Sequence, residues 1–378
     1  MFQGGLEGGF KRPFAPDRAV RRNDTLMAAG HAARSVYVLE LAGEDDDFAA
    51  FEARAGGTGV ERVGAGLATA RSVAPDRVRA LAFTRRASEL LGTTDADPAS
   101  ARALLEASAL DREGTVAVRA RDVRGGTGID TQTVERDLGQ ILVNRGHEID
   151  LDDPDHELRA LFAAVPDDLD RGENGPGNDT VCALGWLAAE SVRDFGTRAP
   201  TDRPFFQPGS MDPLLARALA NVAGAGPGRT LVDPMCGTGG VLIEAGLVGA
   251  RAIGVDAQAK MARGAAANCR AYLDGESPLG PTGPWATLQG DAARLPVPDD
   301  AADAVVFDAP YGRQSKVVGD LADLVEGALS EARRIAPRAV MVADRPWSTP
   351  AREAGWEIEA SFERRVHRSL TRHVLVVR

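Results

Sequence analysis

The sequence has little cysteine, almost no lysine and no long apolar run. Its three cysteines, Cys182, Cys236 and Cys269, are odd in number and widely spaced. That spacing argues against a disulfide scaffold, and without a C-x-x-C pair nothing supports a zinc site. No window approaches the ~18 consecutive apolar residues of a transmembrane helix. The N-terminus has neither the apolar core nor the cleavage pattern of a secretory signal. These absences lead us to expect a cytoplasmic chain in a reducing compartment, with no membrane or metal partner. Of 44 basic residues only 3 are lysine, and the 55 acids comprise 34 Asp and 21 Glu, for a net charge of −11. This is the composition of proteins that live in molar salt, where a dense acidic surface keeps the chain hydrated. A GC-rich genome would also favour Arg over Lys. An acidic chain is a poor starting point for a nucleic-acid binder. In molar salt, however, the Debye length falls to ~3 Å and only close contacts count. A length of 378 residues with 44% apolar content suits a globular chain of two or three domains.

Residues 1–34 are Gly-rich, then basic and Pro-containing. They read as a disordered or mis-assigned extension, with Met27 as an alternative start. Residues 35–197 show mixed, weakly periodic patterning. Strand-like runs occur at 36–41, 78–83, 115–119 and 181–188, and a helix with Val134, Leu138, Ile141 and Leu142 at helical spacing is stopped by Gly146. This predicts an α+β domain. The Gly-, Asn- and Asp-rich stretch 167–180 is a surface loop. A Pro-containing linker, bounded at 198–207, leads into residues 208–378, where strands and helices alternate strictly. Strands are expected at 230–233, 251–256, 285–289, 303–308 and 338–343, with helical runs at 239–248, 258–272 and 320–335. Such α/β alternation means a parallel sheet covered by helices. The final runs, 356–362 and 371–377, leave no room for a helix and must pair antiparallel. Five parallel strands closed by such a hairpin, seven in all, resemble the class I (Rossmann-like) methyltransferase arrangement.

The chemistry-bearing residues fall at strand ends. The first strand ends at Asp233 and is followed by Pro234, Met235, Cys236, Gly237, Thr238, Gly239 and Gly240. Glycines allow a sharp turn and leave space for a ligand. The segment is neither a Walker loop nor a G-x-G-x-x-G turn. The second strand ends at Asp256, where a carboxylate can accept ribose hydroxyls. The third is followed by Asp291 and Ala292, where an adenine amino group could donate. The fourth ends in Asp308, Ala309, Pro310 and Tyr311. This tetrad resembles the D/N-P-P-Y/F motif of enzymes that methylate exocyclic amines. Such an amine is a poor nucleophile because its lone pair is delocalised into the ring. The Asp308 carboxylate and the carbonyl of Ala309 would accept its hydrogens and localise the lone pair, while Tyr311 would stack on the base. Ala309 stands where the motif has proline, which removes some rigidity.

With these segments the chain is similar to the archaeal tRNA guanine-N2 methyltransferase family that modifies guanosine 10. The resemblance rests on 233–249, on 308–312, on Arg203-Pro204-Phe205-Phe206 followed by 211–219, and on Arg365-Val366-His367-Arg368-Ser369-Leu370-Thr371-Arg372. Looser likeness at 114–119, 134–146, 149–154 and 182–188 points to the family's THUMP-containing RNA-binding region. The resemblance implies S-adenosylmethionine as cofactor, with Phe206 in a segment that closes over it, and tRNA as partner. It implies formation of N2-methylguanosine and then N2,N2-dimethylguanosine, with THUMP gripping the acceptor end. Arg119, Arg365, His367, Arg368 and Arg372 are candidate RNA contacts, and a monomer is expected. Two further readings stay open: another RNA or DNA amine methyltransferase, such as an adenine-N6 enzyme, and a non-catalytic tRNA-binding protein, suggested by Ala309.

Overall fold

The computed structural model describes residues 36–169, 179–310, 320–367 and 370–378. The expectations attached to residues 1–34, to most of the loop 167–180, to Tyr311 and to Arg368 lie outside the described residues. His367 is placed by its backbone alone. In the first half the elements run β1 (Tyr37–Leu41), α1 (Asp46–Ala53), β2 (Gly57–Thr58), β3 (Glu61–Gly64), β4 (Leu67–Ala70), β5 (Ser72–Val73), α2 (Pro75–Arg79), β6 (Thr84–Thr94), α3 (Pro98–Ala107), β7 (Thr115–Asp122), α4 (Thr131–Asn144), β8 (Glu148–Ile149), β9 (His156–Ala164) and β10 (Thr180–Glu190). The second half runs α5 (Pro213–Val222), β11 (Thr230–Asp233), α6 (Gly240–Leu247), β12 (Arg251–Asp256), α7 (Ala259–Leu273), β13 (Trp285–Gln289), β14 (Ala304–Asp308), α8 (Asp320–Ile335), β15 (Ala339–Ala343), α9 (Ser348–Glu353), β16 (Ile358–His367) and β17 (Leu370–Val377).

The first half builds an eight-stranded sheet of order β3-β4-β1-β6-β10-β9-β7-β8. Helix α4 buries Val134, Leu138, Ile141 and Leu142, an apolar stripe at helical spacing, against Val116, Val118, Leu158 and Phe162 of the sheet. Asp130 caps it by accepting the N–H groups of Gln132 and Thr133. Gly146, at φ +93°, turns the chain away just beyond it. The strand expected at 78–83 does not form. Pro75 opens the short helix α2, and the buried residues that follow satisfy their backbone differently. The Glu52 carboxylate accepts the N–H groups of Ala82 and Phe83, each at 2.6 Å, where a strand neighbour would otherwise be needed.

The second half is a seven-stranded sheet of order β13-β12-β11-β14-β15-β17-β16. The first five strands in that order are mutually parallel. β17 runs antiparallel to β15, and β16 antiparallel to β17, so the expected hairpin closes the sheet. β11, β12 and β13 occupy the expected bounds, and β11 and β12 do so as short apolar runs ended by turn residues. The carboxyl tips of β11, β12 and β14 therefore point to one edge, the usual ligand crevice of an open parallel sheet.

Residues Arg34–Arg378 form one compact unit, and the two sheets share a continuous apolar cluster that includes Phe48, Leu81, Leu219, Leu242 and Val376. Phe362 of β16 meets Phe48 and Phe51 of α1 edge-on, with ring centroids 5.2 and 5.4 Å apart. Glu52 also accepts an N–H from the Asn221 side chain of α5 at 2.7 Å. Buried Glu244 of α6 pairs with Arg198 at 2.9 Å and Arg217 at 2.7 Å.

Candidate active site at the strand tips

The turn after β11 is shaped by its own backbone. Asp233 accepts the Met235 N–H at 3.0 Å, and Cys236 donates its N–H to the Val255 carbonyl of β12 at 2.9 Å. Gly237 and Gly239 adopt φ of +51° and +79°, left-handed values that favour glycine. A Cβ on Gly239 would lie 3.1 Å from that of Ala265, so α6 approaches α7 closely there. The Asp256 carboxylate binds the turn from the next strand by accepting N–H groups from Gly237 (3.0 Å) and Gln258 (2.8 Å).

A cavity of about 590 Å³ opens above these tips. Residues 207–211 form one wall, the turn 235–238 with Gly240 and Val241 forms the floor, and Gln258 and Met261 stand at one side. Asp233, Asp308, Ala309, Pro310 and Arg372 complete it. Burial pushes the Asp233 carboxyl well above the usual carboxylate range. The negative charges of Asp308 and Asp256 push the same way, while the Met235 N–H pulls back. Burial also raises the Asp256 carboxyl, opposed by its two backbone N–H donors. A cluster of desolvated acids is a setting in which a cationic ligand is favoured.

Of the residues expected for cofactor and catalysis, Asp233, Gly237, Gly240, Asp308, Ala309 and Pro310 line this one cavity. Asp256 contributes by holding Gly237 and Gln258. Pro234 and Gly239 shape the turn without lining the cavity. Asp291 is exposed, accepts the Ala293 N–H at 2.9 Å and stands outside the lining, as do buried Ala292 and 42%-exposed Phe206. The adjacent Phe205 is the ring that packs, against Gly264 and beneath Lys260.

The arginines separate. Arg372 lies within the cavity wall and is buried. Arg365 is exposed on β16. Arg119 lies on the other sheet, donating to the Leu151 carbonyl at 2.6 Å, with Glu157 at 3.8 Å. All three cysteines are buried and free. Among the described residues no cluster of His, Cys, Asp or Glu could hold a metal ion. Among them too, no helix is long and apolar enough to cross a membrane.

Asn268 was not legible as part of the site. Fully buried on α7, its amide donates to the carbonyls of Phe205 and Thr238 and accepts the Phe205 N–H, each at 2.8 Å. It thereby joins the wall segment to the glycine turn, and the Thr238 hydroxyl adds a 3.0 Å contact with Ser210. The available signal was an amide in an otherwise small and apolar run, Ala265–Cys269.

Comparison with known proteins gives four findings. Residues 200–373 match a family model described as an RMKL-like methyltransferase domain. The tRNA (guanine(10)-N2)-dimethyltransferase of Methanothermobacter thermautotrophicus is 32% identical over 347 residues, spanning 89% of this chain and 93% of that protein. The Pyrococcus abyssi protein of the same description is 27% identical, over 70% and 74% of the two chains. Among solved structures, TrmN from Thermus thermophilus aligns over 90% of this chain and 99% of its own, at 20% identity and a TM-score of 0.46.

Proposed function

Because this chain belongs to the tRNA (guanine(10)-N2)-dimethyltransferase family, we propose that the cavity at its strand tips is where the methyl group is transferred. The protein is an S-adenosylmethionine-dependent enzyme that methylates N2 of guanosine 10 in tRNA, twice in succession.

The residues present fit the cofactor. The volume is that of a small-molecule site. A Cβ on Gly237 would meet little protein and would project into open space. Asp233 and Asp256 concentrate negative charge where a cation would be bound. When bound, the cofactor supplies an electrophilic methyl on a sulfonium whose sulfur departs as a neutral thioether.

Asp308 and the Ala309 carbonyl carry the chemistry in this reading. They accept the two N2 hydrogens and localise the nitrogen lone pair, so the amine attacks in line. The proton displaced as the N–C bond forms passes to the Asp308 carboxylate. The product retains one N–H, enough for a second transfer after the amine turns or rebinds. Tyr311 is assigned to stack on the base. Arg372 lies beyond the tip of β15, on the far side of Asp308 from Asp233, and is assigned to the target nucleotide. Asp256 holds the turn and faces the ribose; Asp291, Ala292 and Phe206 are assigned to the adenine end. Residues 208–378 form the methyltransferase module. Residues 35–197 form the THUMP-containing module that grips the tRNA acceptor end, with Arg119, Arg365, His367 and Arg368 as its candidate contacts or those of the final hairpin. We expect a monomer acting in the cytoplasm.

The observation that carries this reading is the convergence of Asp233 and Asp308 on one cavity. Asp308→Asn keeps the shape and removes the charge that receives the proton. It should lower methyl transfer to tRNA by at least about a hundredfold, the scale of a lost general base, with cofactor affinity retained. Nucleoside mass spectrometry of treated tRNA and cofactor titration measure the two effects. Full methylation by this variant would remove Asp308 from the mechanism.

A further inference from the structure

Arg364 and Arg372 are directly opposite in the β16–β17 ladder. Cross-strand partners rise from the same face of a sheet, and like charges so placed destabilise the pair. The two guanidinium groups have different surroundings. Arg372 lines the strand-tip cavity, as does Asp308. Arg364 does not: its guanidinium carbon lies 4.7 Å from the Phe83 ring centroid and 5.3 Å from that of Phe48. Two aromatic faces form a favourable seat for a guanidinium. Burial lowers the proton affinity of Arg364, the like charge of Arg372 adds to that, and the charges of Asp45, Glu44 and Asp212 oppose it.

The seat comes from elsewhere in the chain. Phe48 is on α1, and Phe83 directly precedes β6, so both belong to the N-terminal half. They touch each other edge-on at 5.6 Å. Phe362, two residues before Arg364 and on the same face of β16, packs against Phe48. The outer strand of the catalytic sheet is thus gripped by the N-terminal half at the level where its neighbour feeds an arginine into the cavity.

We propose that Arg364 is a positioning residue for methyl transfer. Held by Phe48 and Phe83, it fixes its cross-strand partner Arg372 in the cavity, so the N-terminal half shapes the target side of the site as well as any RNA contact it makes. This inference rests on the assignment of Arg372 to the target nucleotide.

The test is a double-mutant cycle on the full chain, with unmodified tRNA and labelled S-adenosylmethionine. Arg364→Met should lower kcat for tRNA by about tenfold, while the cofactor dissociation constant stays within about twofold, a split that loss of general stability would not give. Arg364→Lys, whose ammonium can still lie over the rings, should restore most of kcat. Arg364→Met combined with Arg372→Met should be no slower than Arg372→Met alone, because the first residue acts through the second. If Arg364→Met does not fold, Phe83→Leu opens the seat from the other side and should show the same selective loss. Losses that multiply in the double variant, or wild-type kcat in Arg364→Met, overturn the inference and leave the site reading intact. Wild-type kcat in Arg372→Met overturns the assignment of Arg372, and the inference with it.

Discussion

Asp233 shows how a single buried carboxyl connects fold and ligand. Burial raises its proton affinity, and the charges of Asp308 and Asp256 raise it further. An acid whose folded pKa exceeds its unfolded value stabilises the fold fully below the unfolded value of ~3.9, and that contribution is lost as pH rises through the folded value. Ionising Asp233 is thus a cost that a bound cation offsets. Below the raised pKa, binding the sulfonium cofactor should release a proton, and affinity should increase with pH until that pKa is passed. Calorimetric titration in buffers of different ionisation enthalpy reads the proton directly. Asp233→Asn should abolish the proton release and flatten the pH dependence; a release that persists in that variant would assign it to another group. Ala309 makes a related point. The motif's first proline has no N–H, whereas the Ala309 N–H donates to the Val342 carbonyl at 2.8 Å. That bond prolongs the β14–β15 ladder into the motif and supplies by hydrogen bonding the rigidity that a ring would give.

Glu52 on α1 joins elements of both halves, and its change has a sign that can be worked out. Its two oxygens accept the Ala82 and Phe83 N–H groups, and Oε1 also accepts from Asn221. Every partner is a donor. Glu52→Gln would turn an amide NH2 towards one of them, leaving buried donors facing each other. We expect a destabilisation on the order of 2 kcal/mol, read as a lower urea midpoint, with β16 and its aromatic contacts loosened in hydrogen exchange. An unchanged midpoint would mean that the junction is held by its apolar contacts alone. This junction was hidden in the sequence for a physical reason. β6 carries Arg85, Arg86, Ser88 and Glu89, because antiparallel strands with polar faces need not be apolar runs. The residues before it are apolar without being a strand, because a distant carboxylate satisfies their backbone. The catalytic sheet was legible because its inner parallel strands are continuous apolar runs ending in acids and glycines. Asp233 and Asp308 could therefore be placed at one edge from spacing alone. Asn268 and the inward turn of Arg372 could not, since both depend on which way a side chain faces after packing.

At the scale of the whole molecule, several of the arginines that replace lysine pair with the chain's own acids. In the N-terminal sheet Arg62 bridges Asp47 and Asp168, Arg159 pairs with Glu40 and Glu157, and Arg121 pairs with Glu40. An arginine neutralised this way displaces few counterions from a nucleic acid. Binding that depends on phosphate contacts weakens with salt in proportion to the number of phosphates neutralised, with a slope of roughly −0.9 per contact in duplex DNA. A chain of net charge −11 that grips tRNA by shape and by a few close contacts should show a shallow dependence. Plotting log affinity for tRNA against log KCl should give a slope between zero and about −3. The same titration should raise the unfolding midpoint as salt relieves repulsion among surface acids, while the buried Glu244 pairs with Arg198 and Arg217 are little screened. A slope near −6 or steeper would mean that about seven or more phosphates are neutralised, and hence that arginines now paired with Asp and Glu exchange those partners for RNA. In that case the ion pairs of the free protein would be a latent RNA-binding face, and Arg62→Gln would weaken tRNA binding where the shape-based reading expects no change.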